Sequence, residues 1–372
     1  MKKRLIIVFP IILILFLGIG CNKKKNDSVS EKREIMVGTY YFDGWSGTNR
    51  HAGNPDALWA KNAPTHLSEK LATDYSSREP IWGWRNDSIE IMERQIDLAA
   101  ENGIDFFLFC WYWAPDKAPL DLKRILSDPK HTSLALYLQA KNKNRVKFAL
   151  LIANHQGHEI TGEENWQEAV SHWMPYFKDD QYLKVSGKPL LVLFNPQGIT
   201  DQGLADINRI AITNNLQGLS IAGCGDHTIG RSGFDIQTYY NIVPGYSANS
   251  EPHDYEELVA AGMKKWNGTK EQPCIPTVTV GWDKRPWEGS EGGLYNTPEG
   301  WYYTNQTPDK LKDYIRSGIK WINDNPEKAT QEKIIFLYAW NELGEGGYLV
   351  PTKGDPDGLY LKAVKESIEY KK

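Results

Sequence analysis

The sequence predicts an α/β fold, a single-domain (β/α)8 TIM-type barrel, and three observations carry that expectation. Eight short apolar runs stand along the chain from Met36 onward, nearly all are separated by helical patterns, and no Pro/Ser-rich linker divides them. Eight parallel strands close a barrel. An open doubly wound sheet is the competing architecture. It would carry a glycine-rich nucleotide fingerprint after the first strand, where Gly38-Thr39-Tyr40-Tyr41-Phe42 stands instead.

The chain opens with a module of its own. Residues 1–20 read as a signal peptide: Lys2, Lys3 and Arg4 precede an apolar run from Leu5 to Leu17, and Gly18-Ile19-Gly20-Cys21 resembles a lipoprotein cleavage site. The run is short for a membrane span. The expectation is therefore cleavage before Cys21, lipidation of that cysteine, and an exported bacterial lipoprotein at the outer membrane, displayed at the cell surface or on the periplasmic face. A retained anchor and plain secretion are the alternatives. Cys21 and the Lys-, Asn-, Ser- and Glu-rich stretch to residue 33 are expected to form a flexible tether, because so little apolar surface cannot offset ordering entropy. Losing the three leader cations takes the formal net charge from −4 to −7, which argues against a nucleic-acid partner.

Residues 34–372 are long enough for one large core. Strands are expected at 35–42, 104–111, 146–153, 189–194, 219–224, 235–241, 275–281 and 333–339. Before the second strand, Asp87 and Glu90 suit a capping box, Ile89, Met92, Ile96 and Ala99 share one helical face, and Gly103 ends the helix. Further helices are expected at 160–178, 201–214, 255–267, 307–324 and 357–370. Residues 225–234 are too few for a full helix, so the link between the fifth and sixth strands is the weakest. Cys110, Cys224 and Cys274 lack zinc-ligand spacing and read as packing residues, with a single bridge such as Cys110–Cys224 left open.

In such a barrel the residues just past each strand converge on one face. The strand exits here supply Tyr40, Tyr41, Asp43 and Trp45; Trp111, Tyr112 and Trp113; Asn154 and His155; Asn195; Asp226 and His227; Tyr239, Tyr240 and Asn241; Trp282 and Asp283; and Trp340 to Glu345, with Tyr348 beyond. Aromatic platforms beside fixed polar groups suit a ligand with apolar C–H faces and many hydroxyls, most simply a sugar. The 14 Trp and 19 Tyr agree, and two long loops, one after the first strand and one over 282–306, are rich in them. For any single Trp, packing at the barrel mouth explains its presence equally well.

The run Ile334-Ile335-Phe336-Leu337-Tyr338-Ala339-Trp340-Asn341-Glu342-Leu343-Gly344-Glu345 drives an apolar strand into two carboxyls. Two neighbouring carboxyls can give and take a proton, the chemistry of glycoside hydrolysis. A capped turn with solvated acids produces the same pattern. No His-x-x-x-His or His-Glu-x-x-His spacing marks a metal site, no Gly-x-Ser-x-Gly elbow marks a serine hydrolase, and no cofactor is expected. Gly354-Asp355-Pro356-Asp357-Gly358 lacks calcium-loop spacing and reads as a turn into the last helix. Glu342 and Glu345 are the candidate catalytic pair. Tyr40, Tyr41, Asp43, Trp111, Trp113, Asn154, His155, Tyr240, Trp282, Asp283, Trp340, Asn341 and Tyr348 are the candidate glycan contacts.

Trp340-Asn341-Glu342-Leu343-Gly344-Glu345-Gly346 resembles the Trp-Asn-Glu-x-x-Glu-Gly signature of glycoside hydrolase family 99, the endo-acting α-mannosidases and α-mannanases. Gly346-Gly347-Tyr348-Leu349-Val350-Pro351 and Gly281-Trp282-Asp283-Lys284-Arg285 are similar to a related bacterial group labelled WbsX-like glycosyltransferases. The resemblance extends from about residue 35 to 370 and implies a (β/α)8 barrel and retaining hydrolysis of an α-linked, mannose-like glycan. It implies that Glu342 assists attack by the substrate's own 2-hydroxyl, giving a 1,2-anhydro sugar. Glu345 then protonates the leaving oxygen and later activates water. Leu343 and Gly344 depart from the aromatic or histidine residues that the family places between its glutamates. A glycosyltransferase on the same barrel and a non-catalytic surface glycan-binding lipoprotein are the competing functions.

Overall fold

The computed structural model describes residues 34–113, 121–246, 249–269 and 272–369. The signal peptide, Cys21 and the tether lie outside the described residues. Glu34–Lys372 forms one compact unit. Its barrel strands are β1 (Met36–Tyr41), β2 (Phe106–Trp111), β3 (Lys147–Ile152), β4 (Lys188–Leu193), β5 (Ser220–Cys224), β6 (Ile236–Thr238), β7 (Thr277–Thr279) and β8 (Ile334–Tyr338). Hydrogen bonding places them in the order β6-β5-β4-β3-β2-β1-β8-β7, every pair parallel. The barrel is thus nearly closed. Its seam is bridged by a parallel pair of Gln237 and Cys274, with the Ile275 N–H donating to Gln237 O at 3.0 Å.

β6 and β7 are each three residues long, shorter than the runs of seven expected, because side-chain hydroxyls replace ladder bonds at the seam. Thr238 Oγ1 donates to Ile275 O at 2.9 Å, Thr277 Oγ1 donates to Tyr239 O at 2.6 Å, and Thr279 Oγ1 accepts from Ile242 N at 3.0 Å. The weak link between β5 and β6 holds only a single 3-10 turn, Asp226–Thr228.

The helices of eight or more residues are α1 (Ile89–Glu101), α2 (Thr132–Gln139), α3 (Glu163–Phe177), α4 (Asp201–Thr213), α5 (Tyr255–Gly268), α6 (Pro308–Asp324) and α7 (Leu359–Ile368). α1 buries Met92, Ile96 and Ala99 as its periodicity predicts, but Ser88 caps it, accepting from Ile91 N, while Asp87 pairs with Arg85. Ser88 is one residue nearer the helix than the expected cap, and its hydroxyl reaches the third N–H of the first turn. α2 was not expected. Its run Thr-Ser-Leu-Ala-Leu-Tyr-Leu-Gln is apolar on nearly every side and so has no clear helical period. Asp355 accepts from Leu359 N and Tyr360 N at 2.8 and 3.2 Å, which makes residues 354–358 the expected turn into α7.

Alternation along each strand sorts the side chains. Tyr40, Phe106 and Phe336 meet inside the barrel, with Phe336 5.4 Å from Tyr40 and 5.9 Å from Phe106, ring to ring. Tyr41, Phe107 and Trp340 point the other way, where the buried Gln95 of α1 accepts from Tyr41 OH and Trp340 Nε1 at 3.1 and 2.8 Å. Cys110, Cys224 and Cys274 are free and buried, so the disulfide left open by the sequence is not formed.

Gly38 sits where β1 faces the Phe106 ring, and a Cβ there would lie 2.0 Å from Phe106 Cε2. Gly38→Ala should therefore lose about 1–3 kcal/mol of stability by overpacking, read as a lower urea midpoint, while Gly53→Ala, with open space around it, should not.

Candidate active site

β8 delivers the two carboxyls through a short hairpin in which Asn341–Glu342 pairs antiparallel with Gly347–Tyr348. The turn between them closes at Gly346, whose φ of +78° favours glycine and whose missing side chain leaves room for Asp283 N, 2.6 Å from where a Cβ would lie. The hairpin is clamped from both sides. Asn341 Oδ1 accepts from Phe42 N and its Nδ2 donates to Phe42 O, both at 2.8 Å, tying the exits of β1 and β8 together. Arg78 Nη1 donates to Leu343 O at 3.0 Å and to Asp283 O at 2.9 Å, and its Nη2 meets the Asp283 carboxylate at 2.6 Å.

Glu342 is 3% exposed, and its Oε1 accepts a short hydrogen bond from Tyr240 OH. Its Oε2 is buried and has no hydrogen-bond partner among the described residues. Glu345 Oε2 accepts from Tyr338 OH, and Glu345 Oε1 lies 3.2 Å from Lys284 Nζ. Lys284 also donates to Tyr246 OH at 2.6 Å and sits near the rings of Tyr246, Tyr295 and Trp282, 4.9, 5.7 and 6.0 Å from their centroids. Burial pushes the Glu342 pKa well above the carboxylate range and the charge of Glu345 pushes the same way, against the Tyr240 hydrogen bond and the Lys284 charge. For Lys284, burial alone would lower the pKa, but Glu345 and Tyr246 overcome it and hold the ammonium charged.

Both carboxyls open on a cavity of about 510 Å³ walled mostly by rings, with Tyr112, Phe194, Tyr240, Trp282, Trp287 and Tyr295 among them. Of the expected contacts, His155, Tyr240 and Trp282 line it together with Glu342 and Glu345. Burial lowers the pKa of His155, which favours the neutral ring. No group of His, Cys, Asp and Glu that could hold a metal ion occurs among the described residues.

The other expected contacts do not line this cavity; they support it. Tyr40 lies beneath, its ring 4.8 Å from that of Tyr240 and its hydroxyl donating to Tyr239 O at 2.8 Å. Tyr41 and Trp340 face α1 through Gln95. Asp43 accepts from Ser133 N and Oγ at 2.5 and 2.9 Å and anchors α2; burial pushes its pKa up to about 7 in spite of those bonds. Trp111 and Trp113 pack as fully buried rings, Trp111 edge-on to Trp173 at 5.0 Å. Asn154 brackets Asn195, accepting from its N at 2.8 Å and donating to its O at 2.9 Å. Asp283 is consumed by Arg78 and Arg285 and Asn341 by Phe42, while Tyr348 pairs with Asn341 through the hairpin backbone.

Lys284 and Tyr246 were not singled out from the sequence. Period-two reading of Trp282-Asp283-Lys284-Arg285 would have found Lys284, because Trp282 and Lys284 face the cavity while Asp283 and Arg285 pair behind it. The departure at Leu343 and Gly344 also acquires a reason. Leu343 is buried, and a Cβ on Gly344 would lie 1.9 Å from Trp287 Cε2, so the ring of Trp287 occupies the space a side chain would need.

A family model described as Glycosyltransferase WbsX matches residues 84–364. Two curated relatives from strains of Xanthomonas campestris pv. campestris, each described as uncharacterized protein WxcX, are 22% identical over 302 residues. That alignment takes in 70% of this chain and 39% of the relative, so the chain spans about two-fifths of their length. Two structures of a GH99 endo-α-mannosidase from Bacteroides thetaiotaomicron superpose with TM-scores of 0.59 and 0.60 at 17% and 15% identity, covering 90% of this chain and 96% of theirs. A structure described as a glycoside hydrolase-like protein gives 0.56 at 14% identity, covering 90% and 94%. At such identities the likeness is one of fold. The chain belongs to the WbsX family, and it shares the (β/α)8 fold of the GH99 endo-α-mannosidases.

Proposed function

We propose that this protein is a retaining glycoside hydrolase acting on an α-linked, mannose-like glycan, with Glu342 and Glu345 as its catalytic pair. The observation that carries the reading is the pair itself: two carboxyls from one strand exit, held by separate tyrosines, facing a ring-walled cavity large enough for a sugar. The nearest alternative takes the family's description literally and makes the protein a glycosyltransferase. Turnover that requires a nucleotide-sugar donor would favour it, whereas release of free sugar in water alone favours hydrolysis.

In the proposed reaction the substrate's 2-hydroxyl donates its proton to Glu342 while its oxygen attacks the anomeric carbon. The bond to the leaving oxygen breaks, and Glu345 protonates that oxygen. Water then opens the 1,2-anhydro sugar at the same carbon, giving a proton to Glu345, and Glu342 returns a proton to the 2-oxygen. Two inversions leave net retention. The raised pKa of Glu342 favours its acid form before substrate binds. A hydroxyl donating to the unpartnered Oε2 stabilises the carboxylate form, so substrate binding prepares the base as the Glu342 proton passes to Glu345, which then serves as the acid. The charge of Lys284 lowers the Glu342 pKa in the same sense.

We also propose that the chain is exported and lipidated at Cys21, tethering the barrel to the outer membrane.

Glu342→Gln and Glu345→Gln should each lower hydrolysis of a panel of α-linked mannans by roughly 10²–10⁴-fold while leaving the fold intact by circular dichroism. Failure of the wild type to cleave any member would overturn the reading. Lys284→Met removes a charge that lowers the Glu342 pKa, so the acidic limb of kcat/KM against pH should move to higher pH, and Lys284→Arg should keep it in place. Cys21→Ser should move the protein from the membrane to the soluble fraction of the producing cell, and no change on fractionation would count against the anchor.

A further inference from the structure

A second cavity, of about 410 Å³, lies between the loop after β1 and the loop after β7. One chain segment walls both cavities. Lys284, Trp287 and Tyr295 face the catalytic cavity, while Ser290, Gly292, Gly293 and Leu294 face the second. The partition is pinned from both ends: Ser68 Oγ donates to Pro286 O at 2.6 Å, Lys70 N to Gly292 O at 3.0 Å, and Arg50 Nη2 to Leu294 O at 3.3 Å. The facing loop is fixed as well, since Asn49 Nδ2 donates to Pro64 O at 3.0 Å and to Leu67 O at 2.7 Å. These walls are built structure.

The lining has the chemistry of a saccharide site. The half-buried indole of Trp59 lies beside the His51 ring at 5.8 Å, and Arg50, Asn54, Asp56 and Glu69 add donors and acceptors of both charges. At Gly293 a Cβ would lie 2.6 Å from Glu288 O and 2.7 Å from Gly289 O, so that part of the wall stays bare backbone. A ring platform with surrounding polar groups suits a hydroxylated ligand with an apolar C–H face.

We propose that this cavity is a distal sugar subsite, with Trp59 as its stacking platform, which holds a further part of the glycan whose reacting sugar lies at Glu342 and Glu345. The proposal rests on the hydrolase reading and adds chain-length recognition to it.

The test measures kcat/KM on α-linked mannooligosaccharides from the disaccharide to the hexasaccharide, for wild type, Trp59→Ala, Trp59→Phe and Asn54→Ala. The wild type should gain with length, and Trp59→Ala should lose roughly tenfold on the longest oligomer while matching wild type on the shortest one cleaved. Trp59→Phe should keep most of the gain, and Asn54→Ala, at an exposed position, should lose part of it without unfolding. Equal loss at every length, or no loss at any, overturns the subsite. If the wild type cleaves no oligomer, the hydrolase reading fails first. If the wild type cleaves all lengths with one kcat/KM, only the subsite fails.

Discussion

Burying two carboxyls beside one another costs free energy, and the structure around β8 is organised to meet that cost. Glu342 is almost wholly enclosed, and Glu345 raises its pKa further; Tyr240, Tyr338 and Lys284 each supply one partner that a carboxylate needs. Without Tyr240 and Lys284 the Glu342 pKa would stand higher still. The placement of Tyr240, Tyr338 and Lys284 depends on three different strand exits, so the barrel must be complete for the pair to stand.

Behind the pair runs a second charged layer that never meets the cavity. Asp283 is held by Arg78 and Arg285, and Arg78 also ties down Leu343 and Asp283 through their carbonyls. This layer fixes the turn between the glutamates and, through the alternation of residues 282–285, aims Lys284 at Glu345. Asn341 does the same for β1 by clasping the backbone of Phe42. The residues that line the cavity are thus oriented by residues behind it, which is how a constellation of side chains keeps its geometry.

Much of this was legible in the sequence. Strand periodicity located all eight barrel strands, because buried parallel strands are apolar along their whole length and their pattern needs no partner to be seen. The pair Glu342 and Glu345 was visible as two carboxyls at the exit of such a strand, a pattern that a capped turn also produces, and the fold brings both to one cavity. What was not legible was direction. Tyr40, Tyr41, Trp111 and Trp340 all sit at strand exits, yet each is turned into the core, and exit position alone does not say which way a ring faces. Asn154 and Asp283 looked like ligand contacts because polar residues at a barrel mouth often are, but each is spent on a backbone or a guanidinium partner distant in sequence. Lys284 was visible only through the alternation of residues 282–285, since its partners Glu345 and Tyr246 meet it only in the folded chain.

The central claim is that Glu342 and Glu345 together carry a two-step hydrolysis in which the substrate's own hydroxyl replaces an enzyme nucleophile. The stereochemistry of the first product tests it directly. Proton NMR of the sugar released by the wild-type protein from an α-linked mannan, recorded before mutarotation, should show the α-anomer, the retained product of two inversions. Initial release of the β-anomer would contradict the account.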